Sequence, residues 1–369
     1  MQRTADFGII PQSRVGDRRV TLFAASLVFC VSASALMASW VPLQLSIVSV
    51  FLFAGPHNWF EFRYFLTRMP VRFGRSRDFF VVALFGIGAL TLTYVSLPVL
   101  YSLGLWQGSN WPVVLAIWNT AFLVWLGLLI WQRGKQKRVT NWSSGFAVAF
   151  CLCSINWMAP ELFSLAIVYA HPLVALWFLD RHLKRNRPEW LSTYRRGVAI
   201  LPLVIGGMIW QLSRTGALPD DNGLFWRITQ HAGAELLPGV SSRVLVSVHV
   251  FLEMLHYAVW IVALPLIARV QRGTNLEVSW SARDARDCSV TSKVLFGKRA
   301  WIKLVRSIPV ARHPRGFPRL VATAVVIAFV AVVVLWLGFS MDYSSTRDIY
   351  FTVAIAHVLA EAPFLLKML

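Results

Sequence analysis

The sequence predicts an all-α polytopic membrane bundle of about ten transmembrane helices, and three observations predict it. Of its 369 residues, 57% are apolar, more than a soluble domain of this length carries. Trp and Phe are abundant, at 17 and 25. The apolar residues also fall into long runs, and about 17–25 mostly apolar residues suffice to cross a bilayer as a helix.

The opening "MQRTADFGIIPQSRVGDRR", residues 1–19, is too polar and mixed for a cleavable leader and reads as a cytoplasmic tail. The first helix covers 20–39 and serves as the insertion signal. The second, 43–62, follows Pro42 and contains His57 and Glu61. After the basic stretch 63–78 come the third helix, 79–103, and the fourth, 111–131, which stops at "RGKQKR". The fifth, 143–158, is the shortest and ends before Pro160, whose ring disfavours helix at the preceding residue. The sixth, 161–179, runs into "DRHLKRNRPEW", and the seventh covers 197–213. An outer stretch, 214–240, leads to the eighth, 242–268. Residues 269–319 form the only long loop, basic and cytoplasmic, in which "KVLFGKRAWIKLVRSI" has the pattern of an amphipathic helix lying on the membrane surface. The ninth and tenth helices, 320–339 and 348–366, complete the chain, so the organisation is tail 1–19, helices one to eight in 20–268, loop 269–319, and helices nine and ten in 320–369.

The net charge of +19 does not imply nucleic acid, because no soluble segment is long enough to carry a basic face for phosphates. With the N-terminus inside, Arg214, Arg227, Arg243 and Arg347 alone of the 36 Lys and Arg fall outside. The positive-inside rule thus accounts for the charge, with anionic lipids as its contacts, and the expected setting is a bacterial inner membrane. Cys30, Cys151, Cys153 and Cys288 imply no disulfide framework, and the C-x-C pair reads as packing.

The chemistry lies in the histidines. There are eight, and four of them have Glu four residues later: His57/Glu61, His231/Glu235, His249/Glu253 and His357/Glu361. Residues at i and i+4 share a helical face, so the pairs inside spans must point into protein. In "HVFLEMLHY", His249, Glu253 and His256 fall within an arc of about 60°. The second, sixth, eighth and tenth helices run in the same direction, and at about 1.5 Å per residue His57, His171, His256 and His357 occupy one slab roughly 8 Å deep. Ionisable groups at that depth cost about 2.5–3.5 kcal/mol each and mark ligands, relays or pathways. Imidazole with carboxylate suits iron, zinc or manganese; no thiolate set is available, and the zinc-protease pattern H-E-x-x-H is absent. His231/Glu235 is expected in the outer loop, exposed to solvent. His182 and His313 are expected at the inner interface, and Asp180 and Glu161 read as helix-end residues.

At "GPHNWFE" the sequence resembles the membrane family of bacterial Brp/Blh-type β-carotene 15,15′-dioxygenases, whose early motif has Pro-His followed by a carboxylate four residues on. Further likenesses are "VYAHPLVALWFLD", "HVFLEMLHYAVWIVALP" and "IAHVLAEAPFLL". The likeness covers four helices and none of the loops. It implies an all-helical enzyme holding non-haem Fe(II) through His57, His171, His249 and His256 and cleaving a carotenoid with O2 to retinal. The chain departs from the family in having Asn58 for Gly, Glu61 for Asp, and Pro172 and Leu173 for Phe-Gly. Its paired histidines are seven apart rather than four, with Glu253 where the second His would stand, so the resemblance implies a metal shell with more carboxylate.

The expected function is an integral membrane iron-dependent oxygenase for an isoprenoid or carotenoid-like lipophilic substrate, using O2. His57, His171, His249, His256 and His357 are its metal-ligating candidates, with Glu61, Glu253 and Glu361 as further ligands or as groups that orient the histidines. Two other readings fit the same residues: a transporter or redox-complex subunit with a proton or cation path along the His and Glu pairs, and a haem-binding subunit.

Overall fold

The structure, a computed structural model, describes residues 12–68, 77–105, 108, 110–136, 143–220, 223–267 and 319–368. The expected loop 269–319, apart from Arg319, lies outside them, and with it His313, Cys288 and the expected amphipathic segment. The described residues are helical throughout their ordered elements and contain no strand.

The helices are α1 (Gln12–Trp40), α2 (Pro42–Ser49), α3 (Gly55–Arg68), α4 (Arg77–Ser102), α5 (Trp111–Gln136), α6 (Ser143–Met158), α7 (Pro160–Asn186), α8 (Pro188–Leu212), the short α9 (Gly223–His231), α10 (Ser242–Tyr257), α11 (Arg319–Met341) and α12 (Tyr343–Met368). Two π-helical stretches, Val50–Ala54 and Ala258–Ala263, continue α2 into α3 and extend α10. By length and composition, seven described helices can cross a membrane: Val20–Trp40, Asp78–Ser102, Trp111–Gln136, Pro160–Asn186, Ser242–Ile267, Thr323–Met341 and Tyr343–Lys367. The other three expected spans are also helical, the second broken by the π stretch, the fifth short, and the seventh carrying charged residues in its first turns.

Two boundaries differ from expectation. α1 begins at Gln12, inside the expected tail, and α12 begins at Tyr343, so Arg347 lies on a helix rather than in an outer loop. Both extensions are polar segments without an internal proline, and hydropathy alone does not see them.

α10 is the axis of the bundle. Every residue from Val244 to Leu252 is buried, as expected of a helix apolar on all sides, and α1, α7 and α8 pack around it. α3 lies against α11, and α12 against α4. The periphery is apolar outward: Phe29, Trp40, Phe85, Leu203 and Trp210 are exposed, which suits lipid and would be a liability in water. Close approach is arranged by small residues. At Gly86 a Cβ would come within 1.9 Å of the Trp125 Nε1, and that indole donates to the Val82 carbonyl at 3.1 Å.

Polar groups between helices are paired. Asn119 Nδ2 donates to Asn156 Oδ1 at 2.9 Å, and Asn156 Nδ2 to the Ala116 carbonyl at 2.9 Å. Asn119 also donates to Ser164 Oγ at 3.0 Å, so one buried network ties α5, α6 and α7 together.

Candidate metal centre

Four helices bring histidines to one point: α3 with His57 in its first turn, α7 with His171, α10 with His256 in its last turn and α12 with His357. Ring centroids lie 5.2 Å apart for His57 and His256, 5.4 Å for His57 and His357, 4.7 Å for His171 and His256, and 5.2 Å for His171 and His357. Glu61 and Glu361 complete the group. His171 Nδ1 stands 3.3 Å from Glu361 Oε2, and the two carboxyls face one another. Ligand atoms of His57, Glu61, His256 and His357 all lie within 4.8 Å of one another, as do those of His171, His256 and Glu361.

The local sequence explains how His57 is aimed. Pro56 has no N–H, so in the π geometry of Val50–Ala54 the carbonyl five residues earlier, Phe51, loses its partner. Trp336 of α11 supplies one, its Nε1 donating to Phe51 O at 2.8 Å. His57 Nδ1 donates to the Phe53 carbonyl at 3.0 Å, which fixes the tautomer and leaves Nε2 with its lone pair. The second π stretch starts two residues after His256. Asn58 and Trp59, beside His57, donate to Tyr350 OH at 3.3 Å and to Val325 O at 3.2 Å, fixing α3 against α12 and α11.

A second layer of contacts shows that the four helices run parallel. Toward their C-terminal ends, Phe65 stacks on Phe364 with centroids 4.1 Å apart, and Trp260 meets Phe65 at 5.7 Å and Phe178 at 5.1 Å. This aromatic layer belongs to the buried apolar core.

The side chains of the cluster are buried and mostly unsatisfied. His57 is 2% exposed, Glu61 1%, His256 3% and Glu361 3%. Both ring nitrogens of His256 and of His357, both Glu61 oxygens and Glu361 Oε1 are buried without a hydrogen-bond partner. A buried polar atom left unpaired costs about 1–3 kcal/mol, so this many at one point is costly unless a ligand takes them up. Donors bound to one ion at about 2.0–2.2 Å are at most about 4.4 Å apart. A settling of a few tenths of an ångström therefore suffices, and the set of imidazoles and carboxylates without thiolate fits iron, manganese or zinc.

His249 and Glu253 do not join this group. His249 shares the face of His256 but lies seven residues earlier, about 10 Å along the helix axis, too far to share an ion. It meets His231 at 5.1 Å and Tyr169 at 5.4 Å, and its Nδ1 is 3.9 Å from Glu253 Oε2. His231 also lies 4.3 Å from Phe351, so it is packed rather than solvated. Burial, with His249 and Arg347 nearby, holds its pKa well below the ordinary histidine value. Its expected partner Glu235 is exposed and not on a common helix face, because α9 ends at His231 and Gly233 turns the chain with φ +92°.

Arg347 belongs to this outer cluster and was not legible as such. It is 3% exposed, with its guanidinium 4.6 Å over the Phe351 ring; a lone Arg at a helix head has no spacing that marks it. His182, expected at the interface, is 7% exposed and sits 3.5 Å from Tyr64 OH. Asp180 pairs with Arg195 at 2.7 Å, and Glu161 lies in the first turn of α7.

The fold and this site define an all-α polytopic membrane protein with a buried histidine and carboxylate cluster able to hold metal. No family model, curated protein or solved structure matches the chain.

Proposed function

We propose that the chain is a membrane-embedded, non-haem iron-dependent oxygenase acting on a lipophilic substrate of the isoprenoid or carotenoid kind. The observation that carries this reading is the convergence of His57, His171, His256, His357, Glu61 and Glu361 from four helices, with their donor atoms buried and unpartnered. The likeness of the four helices to carotenoid-cleaving membrane enzymes points the same way. Edge-to-face contact between the histidine rings leaves no slot for a flat macrocycle between them, which favours a non-haem centre over haem.

Bound iron would supply the redox couple and open positions for O2. The chain's own residues set the conditions. The Phe53 carbonyl holds the His57 ring in its ligating tautomer. Glu361 orients His171. The Phe65, Phe364, Trp260 and Phe178 layer packs as apolar core on the C-terminal side of the cluster. A second reading, a proton or cation path, is favoured by the outer group of His231, His249 and Glu253, which lines up with the cluster along α10.

The test is oxygen-dependent cleavage of β-carotene by the purified iron-loaded protein in detergent, read as retinal by chromatography. Product formed by the wild type and lost in His57→Ala supports the oxygenase. Equal product from both contradicts it.

A further inference from the structure

We infer that the cluster is a dinuclear centre, with His57, His357 and Glu61 holding one metal ion and His171, His256 and Glu361 a second. The inference rests on the metal-centre reading above and specifies its nuclearity.

The donors divide by geometry into two overlapping sets that share His256: one of His57, Glu61, His256 and His357, the other of His171, His256 and Glu361. One ion with positions left open for substrates takes about three protein ligands. Six donors, two-thirds of them imidazole, are twice that. If a single ion occupied the first set, His171 and Glu361 would remain beside it with Glu361 Oε1 still buried and unpaired. If it occupied the second, both Glu61 oxygens and both His357 nitrogens would be left so. Two ions satisfy both sets, each with two histidines and one carboxylate, the arrangement that suits iron with open positions.

The carboxylates stand where the two sets meet. Glu61 and Glu361 come from different helices and face each other, and paired metals about 3.5–4 Å apart held by carboxylates from separate helices are a known helix-bundle arrangement. His256 is within reach of both sets, and both its nitrogens are free of other partners. The i, i+4 spacing of His57 with Glu61 and of His357 with Glu361 gives one carboxylate to each side, since Glu361 turns to His171 at 3.3 Å.

The experiment strips the full-length protein in detergent with a chelator and titrates it anaerobically with Fe(II), counting bound iron after desalting. The wild type is expected to take up about two equivalents, and His171→Gln and His357→Gln about one each. Mn(II) loaded in the same way should give a spin-coupled rather than an isolated resonance signal in the wild type. One equivalent in the wild type, unchanged by His171→Gln, overturns the dinuclear centre and leaves the iron oxygenase standing. No uptake by the wild type overturns both.

Discussion

The rings of His57 and His357 meet edge to face with centroids 5.4 Å apart, although one comes from the second membrane segment and the other from the last. Such contact between imidazoles deep in an apolar bundle costs more than it returns unless a third partner joins them. Glu61 and Glu361, one turn further along the same two helices, face each other in turn. The relation is held from outside by Trp336, Asn58 and Trp59, none of which is a donor in the cluster.

Metal retention should follow the cluster and ignore the neighbouring histidines. His57→Ala, His256→Ala and His357→Ala are each expected to remove about one of the two irons, the affinity at the altered position falling tenfold or more, about 1.4 kcal/mol or above in binding free energy. His249→Ala and His182→Ala should retain it. Elemental analysis of detergent-purified variants checks this, with gel filtration confirming that each is inserted and monodisperse. Equal retention in all five variants would remove the site.

Removing metal should destabilise the protein, and one substitution should reverse sign with it. At 100 times Kd a ligand adds about 2.7 kcal/mol, so chelation should lower the thermal midpoint by several degrees. Glu61→Gln is expected to lower that midpoint in the loaded protein and to raise or preserve it in the stripped one, where the two facing carboxyls no longer compete for burial. Thermal scans of four samples decide it; a loss of stability in both states would contradict the assignment of Glu61 as a ligand.

Much of this was readable in the sequence, for reasons that particular residues make plain. The i, i+4 spacing of His57 and Glu61 and the shared depth of His57, His171, His256 and His357 are consequences of helix geometry alone, and the structure brings those residues together. His249 misled because spacing reports angle around a helix more readily than distance along it. His231, expected in solvent, is instead packed against His249 and Phe351, contacts that hydropathy does not report. Arg347 and the π stretch before Gly55 depend on contacts with α11, α12 and α9, which no local pattern encodes.

The Asn119 and Asn156 network should stabilise the bundle without touching the metal. Asn156→Leu removes the Asn119–Asn156 hydrogen bond and the donor to the Ala116 carbonyl and is expected to cost about 1–3 kcal/mol. Denaturation in mixed micelles measures this, with iron content unchanged. A fall in bound iron as large as the fall in stability would show the two regions to be coupled.

At Gly86 any side chain meets Trp125. Gly86→Val should cost about 1–3 kcal/mol by overpacking and quench or shift the Trp125 fluorescence, again with iron retained. An unperturbed emission spectrum would contradict the close crossing of α4 and α5.

The measurement to make first is the metal content of the wild-type protein by plasma mass spectrometry, with a visible absorption spectrum on the same sample. The account predicts about two irons per chain and no Soret band. A metal-free protein that stays empty when Fe(II) is supplied, or a Soret band at stoichiometric strength, would contradict it.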